Sequence, residues 1–203
     1  MDFDAILDRI YRTVDQQAYL TPTNQVPPEQ RAAMAEIGAA IHAPDFDAER
    51  VRALIRRRHK EGRIDRVMML SALHVVAAHP AVADYIEAAR LTGEQEMAAL
   101  EQGGPYLDAN LASVERHRGV LVFLKGHFVV ALDYFSRALE RERTAENLGN
   151  VLCCLVRLGE VHEAQELYQN IGRAYPVRMV AELRERVEQD PDLALLRAAE
   201  EPS

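Results

Sequence analysis

The chain of 203 residues has no tryptophan, only two cysteines, ten glycines and nine prolines, and aromatic residues make up 6% of it. So little glycine and proline does not suit a loop-rich β protein. Cys153 and Cys154 are adjacent, so a disulfide between them would be strained and no cross-linked framework can form. Long apolar runs are missing too. The nearest approach to a membrane span, 120–132, is interrupted by Lys125 and His127 and falls short of the roughly 20 residues a spanning helix needs. The chain opens Met1-Asp2-Phe3-Asp4, acidic where a secretory signal is basic. These absences lead us to expect a reducing, cytoplasmic setting. No segment alternates apolar and polar residues long enough to argue a strand.

Hydrophobic residues make up 48% of the chain and charged residues 28%, with 24 Lys and Arg against 32 Asp and Glu for a net charge of −8. That composition can bury a core. Ala, Leu, Glu and Arg recur in almost every segment, and all four favour helix. The fold class expected is therefore all-α, with about a dozen helices by the spacing of breakers. Phe3, Ile6, Leu7, Ile10, Tyr11 and Val14 form a helical stripe with Asp2 placed to cap it, giving an N-terminal helix within 1–20. The three prolines of 21–28 make a linker. Helical hairpins are expected over 29–102, with segments at 29–41, 47–60, 64–78, 82–91 and 94–102, the last two parted by Thr92-Gly93. Gly103-Gly104-Pro105 is the strongest punctuation, and beyond it 106–199 should hold helices at 107–125, 127–141, 144–158, 161–175 and 177–189, then a short one after Asp190-Pro191.

The second block repeats itself. Gly126, Phe128, Ala131, Phe135 and Ala138 recur 33 residues later as Gly159, Val161, Ala164, Tyr168 and Ile171. In a helical hairpin the glycine ends the first helix, the alanine permits a close crossing and the aromatic fills the space beside it. This pattern resembles the tetratricopeptide repeat (TPR), with units at about 112–145 and 145–178, Gly119 at the small first-helix position and Pro176 at the closing proline. Glu115, Leu148, Arg118 and Arg143 depart from the family's pattern. Residues 47–80 read as a degenerate copy about Gly62, and 177–189 as the solvating helix that ends such an array.

The resemblance implies a right-handed α-solenoid whose first helices line a groove for a peptide or partner helix, hence an adaptor or scaffold rather than an enzyme. Arg116, Val120 and Phe123 from one unit, and Asn150, Cys153, Val156 and Arg157 from the next, are the candidate lining. That mixed apolar and cationic surface suits an apolar segment with nearby acidic residues. The family's carboxylate clamp for chaperone C-termini is mostly missing, since its places hold Arg116, Val120, Gly149 and Cys153. The array is also similar to the TPR chaperones of bacterial type III secretion. A different working surface is offered by 50–66, where Arg52, Arg56, Arg57, Arg58, Lys60 and Arg63 form a basic patch suited to phosphate or nucleic acid, or simply to pairing with acid elsewhere. No aromatic residue is interleaved with these cations to stack bases. His74 and His79 are five apart and cannot share a helix face as metal ligands, and no cofactor motif is present. His117 and His127 read as satisfied or surface residues, the two cysteines as small apolar fillers, and a homo-oligomer stays open.

Overall fold

The structure, a computed structural model, describes residues 2–15 and 26–197. The proline linker expected at 21–28 therefore lies mostly outside the described residues. Among the described residues there are eleven α-helices and no strand: α1 (Phe3–Asp15), α2 (Pro28–Ile41), α3 (Ala48–Lys60), α4 (Arg66–Ala78), α5 (Tyr85–Gln102), α6 (Leu107–Phe123), α7 (Phe128–Arg141), α8 (Ala145–Leu158), α9 (Val161–Ala174), α10 (Val177–Gln189) and α11 (Ala194–Arg197), with a 3₁₀ turn over Pro191–Leu193. The chain divides into two compact units, 21–117 and 1–20 with 118–203. The division falls inside α6.

Short polar side chains start α3, α4, α5 and α8. Asp47 accepts from the amides of Glu49 and Arg50, Asp65 from Met68, Asp84 from Glu87 and Thr144 from Asn147, each satisfying a first-turn donor that the helix itself leaves unpaired. Asp65 in this role moves the start of α4 past Ile64, which is buried instead of helical. At the other end, Gly62, Gly126 and Gly159 take left-handed conformations with φ of 69°, 79° and 87°.

Two expectations need correction. Helix 82–91 does not begin at Val82, because residues 79–84 form a turn in which Ala83 adopts φ 51° and the Asp84 amide donates to the Ala77 carbonyl. Nor does Thr92-Gly93 break the chain, for α5 runs unbroken to Gln102. Thr92 is buried and its hydroxyl donates to the Ala88 carbonyl one turn back, so this pair is held inside the helix by its neighbours.

In the unit of 21–117, α2, α3 and α4 close around Ile37, Ile41, Val51, Ile55, Ile64 and Val76, and α4 packs on α5. In the other unit α8 is the centre. Ala145 and every residue from Asn147 to Leu155 are buried, with α7, α9, α10 and the 3₁₀ turn packed around them. On α7 and α9 lies α1, which contributes Ile6, Ile10 and Val14 to the same core. Arg9 fixes its register there, donating to Asp133 at 2.9 Å and to the Ser136 hydroxyl at 3.0 Å. Burial alone would raise the Asp133 carboxyl, but the hydrogen bonds from Arg137 and Arg9 outweigh it and hold its pKa below the usual aspartate range.

The internal repeat is visible in the helix ends: α9 starts and stops 33 residues after α7, from Phe128 to Val161 and from Arg141 to Ala174. Ala131 and Ala164 are wholly buried, and a Cβ added at Gly119 would stand 2.5 Å from the Phe135 ring. Ala131→Leu should therefore destabilise this unit by about 1–3 kcal/mol through overpacking. Gly119→Ala should destabilise it as well, although alanine is the better helix former. Urea denaturation at unchanged m value measures both.

Candidate functional site

The seven candidate groove residues do not form one open surface. Asn150 and Cys153 are buried, because the C-terminal segment lies across the face of α8 that was expected to line the groove. Gly149 makes room for Arg186: a Cβ there would sit 2.6 Å from its Cδ and Nε. The Arg186 guanidinium reaches past it to donate to the Asn150 side-chain carbonyl at 3.0 Å. Below, the Cys153 thiol points at a carboxylate oxygen of Asp190, at 3.6 Å, and Arg157 pairs with Asp192 at 2.8 Å. The sequence pattern could not supply this cover, since it depends on where α10 and the turn at Asp190-Pro191 return in space.

Other members of the set are brought together by a residue assigned only to the repeat pattern. Phe128, at the start of α7, meets the edge of Phe123 with ring centroids 5.1 Å apart at 64°. The Arg157 guanidinium lies 5.9 Å from the centroid of the same Phe128 ring. Such edge-to-face and cation–π geometries are each attractive by roughly 0.5–1.5 kcal/mol. Phe123, Val120 and Val156 are half-buried against the core, Arg157 is half exposed, and Leu124 beside them is 51% exposed. The result is an apolar and aromatic patch with one cation, where α6 ends, α7 begins and α8 ends.

Arg116 belongs elsewhere. It lies in the unit of 21–117, with its guanidinium 3.5 Å from the Ser113 hydroxyl. There it borders the most polar buried cluster of that unit. His74 and His117 stack face to face with centroids 3.8 Å apart and planes 13° from parallel. The Ala88 carbonyl, an acceptor only, lies 3.0 Å from His74 Nδ1, so that nitrogen carries the proton; the Thr92 hydroxyl, which itself donates to Ala88, is 2.9 Å away. His117 Nδ1 pairs with the side-chain carbonyl of Gln95 at 2.9 Å, and the Gln95 amide donates to Ser113 at 3.2 Å. Burial lowers the pKa of His74 despite the Ala88 bond, and the charge of Arg116 lowers it further. His117 is pushed well below the ordinary histidine value by burial first, then by His74 and Arg116. Both rings are neutral at pH 7 and already hydrogen-bonded. Their separation by 43 positions hid the pair from any reading of local spacing.

Neither thiol is an ionised nucleophile. Burial, reinforced by Asp190, pushes Cys153 up to about 12, and burial raises Cys154 as well. Among the described residues no three His, Cys, Asp or Glu side chains group as metal ligands.

The basic stretch divides by function. Arg58 is held between Glu36 and Glu61, each at 2.7 Å, and Arg52 pairs with Glu49 at 2.6 Å. Arg56, Arg57, Lys60 and Arg63 remain exposed. A cleft of about 630 Å³ between α2 and α3 has Arg50 and Arg57 on its rim, but Glu36, Asp45 and Asp47 share it and offset their charge.

The geometry of the histidine pair fixes a pH dependence. As pH falls below the unfolded-chain value of about 6.5, the unfolded state takes up protons that the folded state refuses. Stability present above that pH is then lost, with a limiting slope of about 1.4 kcal/mol per pH unit for each such proton. Urea midpoints measured between pH 7.5 and 5 should fall with pH, and the double variant His74→Phe/His117→Phe should flatten that fall. A disulfide reagent should titrate both cysteines promptly only in denaturant, and the native protein at the rate of unfolding.

Compared with known proteins, the chain matches no family model, no curated protein and no solved structure.

Proposed function

We propose that this protein is a non-catalytic binding module, a TPR-like α-solenoid in its C-terminal half that holds an apolar peptide or partner helix carrying nearby acidic residues. The convergence of Phe123, Phe128 and Arg157 beside the exposed Leu124 carries this reading. Aromatic anchors flanked by an arginine are the composition of interface hot spots. The 33-residue match of α7 with α9, the left-handed glycines before each and the fully buried Ala131 and Ala164 support the TPR-like arrangement. Buried, unbridged thiols and neutral, satisfied histidines fit an adaptor in a reducing cytoplasm better than a catalyst.

Because α10 and the 3₁₀ turn cover Asn150 and Cys153, binding concentrates on the patch at the helix ends rather than along α8. Phe123→Ala with Arg157→Ala should reduce capture of the partner recovered from the native cytoplasm at least tenfold, as loss of two anchors implies. Helicity should be unchanged. Arg56→Ala with Arg57→Ala serves as the opposing test. If that pair removes capture, with a steep dependence on salt, while the aromatic pair leaves it intact, the basic face of α3 is the working surface and the ligand is anionic.

A further inference from the structure

Three of the large apolar side chains that the fold leaves in water sit on one helix: Ile86 at 86% exposure, Met97 at 57% and Leu100 at 53%. With the exposed Ala89 and Gly93 they occupy positions of α5 that fall within about 80° of arc at 100° per residue. The stripe spans about 21 Å of helix. Among the described residues no packing contact accounts for its composition. A Cβ added at Gly93 would meet no atom within 4 Å, so the fold does not require glycine there, and glycine weakens a helix interior.

The spacing of the five residues is symmetric about Gly93. Ile86 and Leu100 lie seven positions to either side, Ala89 and Met97 four. When two copies of α5 run antiparallel about a twofold axis at Gly93, Ile86 faces Leu100 of the second copy. Ala89 leaves space that Met97 of the second copy fills. The two glycines meet where the helix axes are closest.

The charges obey the same symmetry. Arg90 and Glu94 flank the stripe on one side and are already bonded to each other, with Glu87 also on Arg90 at 2.7 Å. In the antiparallel pair, Arg90 of each copy comes within about 3 Å along the axis of Glu94 of the other. Along that edge the four charges run Arg90, Glu94, Glu94, Arg90, so each Arg90 meets a Glu94 of the other copy at the two ends and the two Glu94 lie between them. A patch that complements itself in size, with an Arg90–Glu94 pair at each end, has the form an isologous interface requires. We propose that α5 is a self-association surface, and that its occupant is the α5 of a second copy of this chain. One helix pair is at the small end of specific interfaces, which bury less than about 1,200 Å², so the dimer is weak and concentration-dependent rather than obligate.

Sedimentation equilibrium of the full chain from low micromolar to several hundred micromolar tests this. We expect a monomer–dimer equilibrium, shifted at least tenfold toward monomer by Met97→Glu, an exposed substitution whose circular dichroism should match the wild type. Gly93→Cys should give a disulfide-linked dimer on mild oxidation. Ile86→Cys with Leu100→Cys in one chain should cross-link where neither single variant does, which reports the antiparallel register. The native thiols are buried and do not confuse the result. A protein that stays monomeric throughout the range overturns the proposal. So does a dimer that persists in Met97→Glu and yields no cross-link through Gly93→Cys. Both readouts are independent of partner capture, so they stand or fall apart from the proposed adaptor role.

Discussion

The arrangement of the unit of α1, the end of α6 and α7–α11 follows from the need to bury α8 on all sides. A helix with an apolar stripe needs one covering surface, but α8 presents Leu148, Val151, Leu152, Cys153, Cys154 and Leu155 around most of its circumference. No single partner can shield that. α7 and α9 take two flanks, and α10 with the turn at Pro191–Leu193 takes the face that remains. In turn, α7 and α9 have outer surfaces that α1 covers with Ile6, Ile10 and Val14. The terminal helices are therefore structural requirements of the central one, and their position over α8 narrows what a ligand can reach.

The other unit manages its interior differently. Where most of α8 is packed by apolar side chains, α4, α5 and the first part of α6 enclose His74, Thr92, Gln95 and His117. His74 bonds from α4 to α5 and His117 and Ser113 from α6 to Gln95 of α5, so these bonds exist only when all three helices are in place. Such a network is stable while it stays neutral, and the cation at Arg116 raises the penalty for any proton that enters.

Local features of the fold were legible because they depend on local chemistry. The bounds of α10, the glycines that end helices at the turns and the helix starts at Asp47 and Thr144 are decided within four residues of chain. The Thr92-Gly93 break failed for the opposite reason: glycine lowers helix propensity, but the buried Thr92 and its contact with His74 are tertiary and override it. The candidate site was half legible. Phe123 and Arg157 were singled out, yet the ring that joins them, Phe128, read as one more position in a repeat. Nothing near Asn150 in sequence indicates that Arg186, 36 residues on, lies over it. Periodicity tells which face of a helix is apolar and is silent on which neighbour will cover it.

Two polar residues in the central, deeply buried helix have a consequence of their own. Asn147 is fully buried and donates to the Glu142 carbonyl at 2.7 Å and, at 3.4 Å, to that of Ala138, while Asn150 accepts from Arg186. A uniformly greasy rod can slide one turn along its neighbours and lose little, because one methyl group packs much like another. An amide that slides loses its bonds and stays out of water. The two asparagines thus work as detents: they permit one axial setting of α8 against α7 and one of α10 against α8, and they convert a cylinder of interchangeable contacts into a joint with a single position.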